Sequence, residues 1–259
     1  MTQQRKTCLF IPLHNKLMSQ FLQFFIWIPL IGFLISIVVP RKKETMLSGI
    51  AIFMSGFHLA GILAFILFWL INNYPVLDIK HFVFFKADNI EIFIDFYFDK
   101  VAAVFAVVGS FLIFIVAIFS RYYLHRDDGF KRFFNTFLLF FLGYNVFIFS
   151  GNYETLFIGW EIIGICSFLL ITFYRDRYLP VKNGLKVISI YRLGDIFLIL
   201  AMWMSHHLWH ENITFLKLND LTLVTEHFQE HGGFGVFVCL MILLAATVKS
   251  AQLPFSSWL

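Results

Sequence analysis

The sequence lacks the short motifs on which redox enzymes and nucleotide-binding proteins depend. Its cysteines, Cys8, Cys166 and Cys239, form no CxxC pair and join no His/Cys set at the spacing of metal ligands. It contains neither a GxGxxG run nor a P-loop, the motifs that hold dinucleotides and phosphates. We therefore expect no metal and no cofactor on this chain.

Charge is also scarce. Charged residues make up 14% of the 259 residues, whereas a soluble domain has about 25%. Hydrophobic residues make up 59%, which is more than one buried core requires. The formal net charge of +4 comes from basic residues at the ends of apolar segments, so it does not indicate nucleic-acid binding. The composition predicts an all-α membrane protein with several spanning helices.

Seven apolar segments are long enough to span a bilayer, which takes about 20 residues. The predicted helices cover residues 21–39, 47–71, 100–120, 133–150, 153–173, 185–205 and 234–258. Residues 1–20 form a basic N-terminal segment before this bundle, which occupies residues 21–259. The apolar stretch after residue 20 is too long for a signal peptide, so we predict that it is retained as the first helix.

Charge alternates between the predicted loops. The loops at 40–46, 121–132 and 174–184 are basic, and those at 72–99 and 206–232 are acidic. The positive-inside rule places the basic loops on the inner side and the N-terminus outside, although the N-terminal segment is itself basic.

The outer loop at 72–99 contains two runs of β-branched and aromatic residues. They flank Asp88 and Asn89, a pair that favours a tight turn. This pattern predicts a β-hairpin at about residues 79–98, on the membrane surface.

The seventh predicted helix contains Pro254. Proline removes a backbone donor and clashes with the carbonyl four residues earlier, here that of Ser250. We therefore predict a break in this helix near Pro254. Broken helices are tolerated inside a membrane where the freed backbone groups face protein or line a cavity.

Three successive predicted helices carry ionisable residues in their interiors. Glu161 lies near the middle of the fifth helix, Arg192 and Asp195 lie on the sixth, and Lys249 lies deep in the seventh. Charges at this depth are costly and usually functional. The i,i+3 spacing of Arg192 and Asp195 predicts an ion pair, whose role could be purely structural. Lys186 fits a functional lysine and an interfacial anchor equally well. Proton relays use such chains of acids and lysines, so we predict movement of protons rather than bond-making chemistry.

Two further polar features lie at the outer ends of these helices. Glu154 begins the fifth helix, where a negative charge complements the helix dipole. The run His206-His207-x-x-His210-Glu211 ends the sixth helix. Histidines at i and i+4 can bind a metal on a helix, but no third ligand pattern recurs, and a hydrated interfacial cluster is the favoured interpretation.

The same residues carry a family resemblance. Four stretches resemble segments of the chain 5 family of NADH:ubiquinone oxidoreductases, in the family's order: residues 120–134, FIGWEIIGICSFLL at 157–170, YRLGDIFLILAM at 191–202 and VKSAQLPFSSWL at 248–259. Together they span most of residues 95–259, whereas residues 1–90 match in hydropathy alone.

The resemblance implies an antiporter-like, proton-pumping subunit of respiratory complex I. Such subunits have two inverted repeats of five helices with a broken helix in each. By position, Glu161 matches the key glutamate of the first half-channel, Lys249 the lysine on the broken helix, and Arg192 with Asp195 the pair on the helix between them. Lys186 matches the lysine just before that pair. Similar subunits pass protons by changing the glutamate–lysine interaction.

The resemblance also implies the surroundings of the chain. NADH, FMN, iron–sulfur clusters and ubiquinone would be bound by other subunits. Partners would be the other membrane-arm subunits, among them a neighbouring antiporter-like subunit, and membrane lipids. The PFSSWL ending resembles mitochondrial members, which implies the mitochondrial inner membrane with the N-terminus in the intermembrane space.

This sequence departs from the family in two respects. Tyr191 replaces the usual asparagine before Arg192, which puts the hydrogen bonding of the pair in doubt. The family continues for several helices beyond the match, so we expect either a split gene, with another chain supplying the rest of chain 5, or a fragment. Two other interpretations stay open, namely the large subunit of a multisubunit cation/proton antiporter and a fragment that only scaffolds the membrane arm.

Overall fold

The computed structural model describes residues 13–87, 90–209 and 212–258. This part of the chain forms eight α-helices, one β-hairpin and a final 3₁₀ turn. In chain order these are α1 (Leu13–Val38), α2 (Glu44–Ile71), β1 (Leu77–Ala87), β2 (Ile90–Phe98), α3 (Lys100–Tyr123), α4 (Phe130–Ile148), α5 (Tyr153–Ile171), α6 (Tyr178–Trp209), α7 (Phe215–Leu218), α8 (Leu221–Lys249) and the 3₁₀ turn Ser256–Trp258.

Among the described residues, six helices are long and apolar enough to cross a membrane, where the sequence predicted seven. The candidate spans are Gln20–Val38, Glu44–Ile71, Lys100–Tyr123, Tyr153–Ile171, Tyr178–Trp209 and Gly232–Lys249. The remaining predicted span, 133–150, is the 19-residue helix α4, which contains Lys131, Arg132 and Asn135. It packs against α1, α2, α3 and α5, so its less apolar sequence lies against protein.

The first helix begins at Leu13 rather than at residue 21, so part of the predicted N-terminal segment is helical. Three predicted features lie outside the described residues. They are residues 1–12 of that segment, the Asp88-Asn89 turn, and the last two members of the histidine cluster, His210 and Glu211.

The predicted β-hairpin is confirmed. Strands β1 and β2 pair antiparallel from Leu77 opposite Phe98 to Ala87 opposite Ile90. Phe98 is fully buried and packs in one core cluster with residues of α1, α2 and α3. On the exposed part of the hairpin, Lys80 and Lys86 form ion pairs with Glu91. Their hydrogen bonds lower the pKa of Glu91 to about 2.

The hairpin and two interhelical connections meet at one end of the bundle. The backbone N–H of Gly151 donates to the carbonyl of Asp95 at 2.8 Å, and isolated bridges join Phe96 to Ser150 and Asn152 to Thr214. We call this end the hairpin side. The opposite end, formed by residues 39–43, 124–129 and 172–177, is called the basic side.

A buried acid lies at the base of the hairpin. Asp95 is 1% exposed, and no amide, hydroxyl or cationic side chain of the described residues donates to its carboxylate oxygens. Its neighbour is the carboxyl group of Asp78. Burial, followed by the negative charge of the neighbouring Asp78, raises the pKa of Asp95 from 3.8 to about 7.

We expect the hairpin to lose stability as the pH rises from 5 to 8. The folded carboxyl holds its proton up to a pH of about 7 and the unfolded one only to 3.8. The folded state therefore binds more protons between these values, and its advantage is lost as the pH increases. Hydrogen exchange of amides 77–98, corrected for the intrinsic pH effect, measures this loss. Asp95→Asn should flatten the response, whereas the control Glu91→Gln should not, and an unchanged response in Asp95→Asn would refute the prediction.

Candidate functional site

Three helices meet where the predicted interior charges lie. Helix α6 packs closely on α8 at Gly194, where an added Cβ atom would come within 3.1 Å of Val248 Cγ1. Helix α5 packs closely on α4 at Gly159, where an added Cβ atom would lie 2.5 Å from the backbone nitrogen of Phe147. Both glycines allow the helices to approach closely. These contacts position Glu161, two residues after Gly159, and Lys249, which directly follows Val248.

Arg192 bridges two carboxylates on different helices. Its Nη2 lies 2.9 Å from Oε2 of Glu161, and its Nη1 lies 3.2 Å from Oε1. Its Nε lies 3.1 Å from Oδ2 of Asp195, as the i,i+3 spacing predicted. The two-pronged contact with Glu161 was not predicted. Planar guanidinium groups favour such bidentate contacts, which hold both partners in a defined orientation.

Asp195 is held from its other side by Trp160. The indole Nε1 of Trp160 donates to Oδ1 of Asp195 at 2.7 Å, and the carboxylate is almost fully buried. Oδ2 has only the ion-pair contact with Arg192 and lacks a hydrogen bond of good geometry among the described residues. Asp195 therefore has one firmly satisfied oxygen and one that remains available.

Lys249 is held by uncharged groups. Its Nζ donates to the backbone carbonyl of Trp160 at 2.7 Å. The same atom lies 4.0 Å from the centre of the Trp160 ring and 5.5 Å from that of Tyr191. In the described part of the chain Lys249 forms no ion pair with Glu161 or Asp195, so the interaction that the resemblance implied between Lys249 and Glu161 is not made in this conformation.

Trp160 therefore connects the acidic and basic members of the cluster. Its side-chain N–H binds Asp195, while its carbonyl and ring face bind Lys249. Sequence reasoning did not single it out. The available signal was its position directly before Glu161, on the same helical turn.

Helix α8 ends beside α5, where Lys249 contacts Trp160. The helix stops at Lys249, and Ser250 follows as its C-cap, four residues before Pro254. This is the position at which a proline ring clashes with the helix, so the predicted break is present. The helix begins at Leu221 and ends at Lys249, so it starts and stops earlier than the predicted 234–258.

Three of the last carbonyls of α8 find donors in the residues that follow the helix. The N–H of Ser250 donates to Ala246 at 2.9 Å, the N–H of Gln252 donates to Thr247 at 2.9 Å, and the indole of Trp258 donates to Val248 at 2.9 Å. Unpaired carbonyls at membrane depth would cost several kcal/mol each. The turn after Lys249 therefore satisfies these three carbonyls where the helix ends.

Lys186 lies apart from this cluster. It is exposed on the basic side of Arg192, and its ammonium donates to the carbonyl of Ser257. The structure thus links Lys186 to the segment after the helix break and does not bring it to the carboxylates.

The four charges of the cluster sum to zero when Glu161 and Asp195 are ionised. A balanced set lowers the cost of placing charge at membrane depth. Glu161, Asp195 and Lys249 can each exchange a proton, whereas an arginine remains charged at all physiological pH values. The cluster therefore contains three exchangeable sites around one fixed positive charge.

A second polar group lies at the hairpin-side ends of α5 and α6. His206 Nε2 lies 2.6 Å from Oε1 of Glu154, which also accepts from Asn212 Nδ2 at 3.0 Å. His207, the adjacent member of the predicted cluster, instead stacks on Trp203 with ring centres 6.2 Å apart. Glu154 is therefore a partner of His206 rather than only a charge at the start of a helix.

Two family models match the chain in succession. Residues 84–134 match the model described as NADH-Ubiquinone oxidoreductase (complex I), chain 5 N-terminus. Residues 150–259 match the model described as NADH:quinone oxidoreductase/Mrp antiporter, TM. The second match contains all five site residues predicted from the sequence.

Individual proteins show the same similarity. NADH-ubiquinone oxidoreductase chain 5 of Metridium senile is 30% identical over 244 residues, covering 90% of this chain and 38% of that protein. NADH-quinone oxidoreductase subunit L of Buchnera aphidicola subsp. Baizongia pistaciae is 32% identical over 186 residues, covering 71% and 29%. The chain thus spans about a third of the length of these relatives.

A solved structure shows the same fold. The chain superposes on a chain of the membrane-bound sulfane sulfur reductase, an archaeal respiratory membrane complex, with a TM-score of 0.70 and 18% identity. The match covers 92% of this chain and 46% of that one. The two family models and these relatives, rather than this likeness of fold, assign the chain to the NADH:quinone oxidoreductase/Mrp antiporter family, where it resembles the N-terminal part of chain 5 of complex I.

Proposed function

We propose that the chain forms the first half of an antiporter-like proton pump in the membrane arm of respiratory complex I. Electron transfer from NADH to quinone, carried out by other subunits with their FMN and iron–sulfur clusters, would drive it. The observation that carries the proposal is the cluster itself, in which Arg192 bridges Glu161 and Asp195 beside the end of a broken helix that carries Lys249.

The contacts support a proton exchange controlled by Arg192. When Glu161 takes up a proton its attraction for Arg192 weakens, and the guanidinium stays with Asp195. Lys249 is bound to a neutral carbonyl and ring, so it can release a proton without breaking an ion pair. One proton gained at Glu161 and one lost at Lys249 leave the total charge unchanged. Lys186 would supply or accept protons from the basic side.

The exposure of the cluster supports a partner in the membrane. The side chain of Arg192 is 46% exposed and that of Glu161 is 21% exposed. Lipid is an unfavourable neighbour for an ion pair, so we infer that protein covers this face. The covering chain would be another membrane-arm subunit or a chain that supplies the rest of the antiporter-like fold.

The charge of the loops supports an orientation. The basic side carries Arg41, Lys42, Lys43, Arg126 and Arg175, which the positive-inside rule assigns to the inner compartment. In a mitochondrion this would be the matrix, with the hairpin side and the N-terminus in the intermembrane space. The similarity to chain 5 supports the mitochondrial inner membrane.

A cation/proton antiporter is the second candidate, since the matched family model names both systems. Purification of the chain from native membranes separates the two. Flavin-containing and iron–sulfur subunits should copurify with it if it belongs to complex I. Their absence, together with the presence of other antiporter subunits, would favour the second candidate.

Glu161→Gln tests the proposed function. The amide cannot exchange a proton. We therefore expect the share of proton translocation per electron that passes through this site to fall by about tenfold or more. The measurement is NADH-driven dye quenching in sealed membrane vesicles, normalised to NADH oxidation. The control Glu226→Gln changes an exposed glutamate on α8 and should leave the ratio unchanged. Normal translocation in Glu161→Gln would refute the proposal.

A further inference from the structure

A second acid–base pair lies at the hairpin-side end of the helices that carry the central cluster. Glu154 and His206 are in contact at 2.6 Å, and their side chains are only 10% and 19% exposed. Asn212 is also buried and donates to the same glutamate oxygen at 3.0 Å. A carboxylate and an imidazole at this distance share a proton, and imidazole is the side chain that changes its charge most readily near neutral pH.

The pair contains acceptor atoms that the protein leaves unsatisfied. Oε2 of Glu154 and Oδ1 of Asn212 are both buried and have no hydrogen-bond partner among the described residues. Buried polar atoms of this kind are usually satisfied by a donor, most often water. Each of these acceptors gives a donor such as water a place to bind beside Glu154 and His206.

The position of the pair relates it to the central cluster. Glu154 precedes Glu161 by seven residues on α5, and His206 follows Asp195 by eleven residues on α6. These separations are close to two and three helical turns, so each pair of residues lies on one face of its helix, about 10 and 16 Å apart along the axis.

An apolar layer separates the two polar sites. It is formed around Leu198 and Ala245, which pack with Trp160 in one buried cluster and contact the side chains of Phe147, Leu156, Phe157 and Phe197. The arrangement of two proton-binding sites with an apolar layer between them is that of a gated path, in which transfer requires transient entry of water.

Other titratable groups surround the pair on each packed element. Tyr153 lies beside Glu154 on α5, and Cys239 faces them from α8. Strand β2 brings Asp95, whose backbone N–H donates to Thr155 at 3.0 Å. The end of α4 and the connection that follows it, residues 145–150, carry no titratable side chain. In the described part of the chain His206 is the one basic side chain that contacts Glu154.

We propose that Glu154 and His206 form a proton-exchange site on the hairpin side. It accepts a proton from the central cluster when water enters the apolar layer, and His206 then releases that proton to water on the hairpin side. The proton is the only species transferred, so the pair returns to its starting charge with each release. This inference rests on the proposed function, because it gives the central cluster an outlet within this half of the pump.

The test uses His206→Ala and Glu154→Gln in the assembled complex, with His207→Gln as the matched control from the next position of the helix. Proton release on the hairpin side is measured per assembled complex while the pH of that side is varied from 5.5 to 8. We expect release to fall by about tenfold or more in both variants and to lose its dependence on hairpin-side pH. Imidazole added to the hairpin side should restore release in His206→Ala, whereas a structural tie could not be replaced in this way. His207→Gln should behave like the unaltered complex.

Proton release with unaltered rate and pH dependence in both variants would overturn the inference. A reduced amount of assembled complex, with normal proton release per assembled complex, would also overturn it. If His206→Ala fails to assemble, Glu154→Gln decides alone. Glu161→Gln measured in parallel separates the two proposals. If Glu161→Gln translocates normally, the proposed function fails. If it loses translocation while both hairpin-side variants retain theirs, the exchange site alone fails.

Discussion

Replacing Arg192 by alanine is expected to lower the amount of assembled membrane complex by about tenfold or more. The guanidinium contacts Glu161 with two nitrogens and Asp195 with a third. Its loss would leave both carboxylates without their ion-pair partner and the cluster with a net negative charge. Asp195 is almost fully buried, and leaving a buried charge without its partner costs about 3–5 kcal/mol. About 1.4 kcal/mol is already a factor of ten in an equilibrium.

The amount of complex is measured by quantitative native electrophoresis of solubilised membranes. Arg177→Ala is the matched control, because Arg177 lies in an exposed loop and stacks over Tyr174. Arg192→Lys should give an intermediate amount, since an ammonium is a point charge and cannot form the two-pronged contact. In Arg192→Ala, proton translocation per assembled complex should fall by a smaller factor than the amount of assembled complex. A normal level of assembled complex in Arg192→Ala would show that Arg192 is not the counter-charge that holds these helices together.

The sequence was sufficient for those parts of the fold that depend on local patterns. Apolar runs located the helices, alternation around Asp88 predicted the hairpin, and Pro254 predicted the helix break. The sequence also located α4, predicted at 133–150 and observed at Phe130–Ile148, but not the contacts that surround it. Its Arg132 donates to the carbonyl of Phe173 at 2.7 Å, and such contacts depend on which helices surround it. Hydropathy does not contain that information.

The candidate site was predictable in its members but not in its pairing. Spacing along α6 was enough to pair Arg192 with Asp195, because both residues lie on one helix. The contact between Arg192 and Glu161 depends on the rotation of α6 against α5, and the role of Trp160 depends on the depth at which α8 ends. These are tertiary quantities that no spacing in the sequence encodes.

A buried histidine shows the same limit. His58 lies in the interior of α2 and is fully buried, with its ring nitrogens 3.1 Å from Ser110 Oγ and 3.2 Å from the carbonyl of Phe25. A single histidine in an apolar helix gives little signal in a sequence, so this residue was not predicted to matter. Because both ring nitrogens are satisfied within the protein, the structure accounts for His58 without a role in proton transfer.

Lys249→Ala is expected to act in the opposite way to Arg192→Ala, with a loss of activity and little loss of assembly. The lysine is bound by a backbone carbonyl and two aromatic rings, so its removal leaves no carboxylate without its guanidinium. Without an exchangeable ammonium at the helix break, however, protons cannot pass beyond Glu161. We expect proton translocation per electron to fall by about tenfold or more, with assembly within about twofold of normal.

Two further variants distinguish the chemistry of Lys249 from its position. Lys249→Arg keeps the charge but removes the exchangeable proton, because arginine does not deprotonate in proteins, so it should translocate as poorly as Lys249→Ala. Trp160→Phe retains the carbonyl and an aromatic face for Lys249 but removes the donor to Asp195, so its effect should be smaller. Lys182→Ala changes an exposed lysine on the basic side and should match the unaltered complex. If Lys249→Arg instead retains full translocation, the residue serves as a fixed charge, and proton release must be assigned to Glu161 and Asp195 alone.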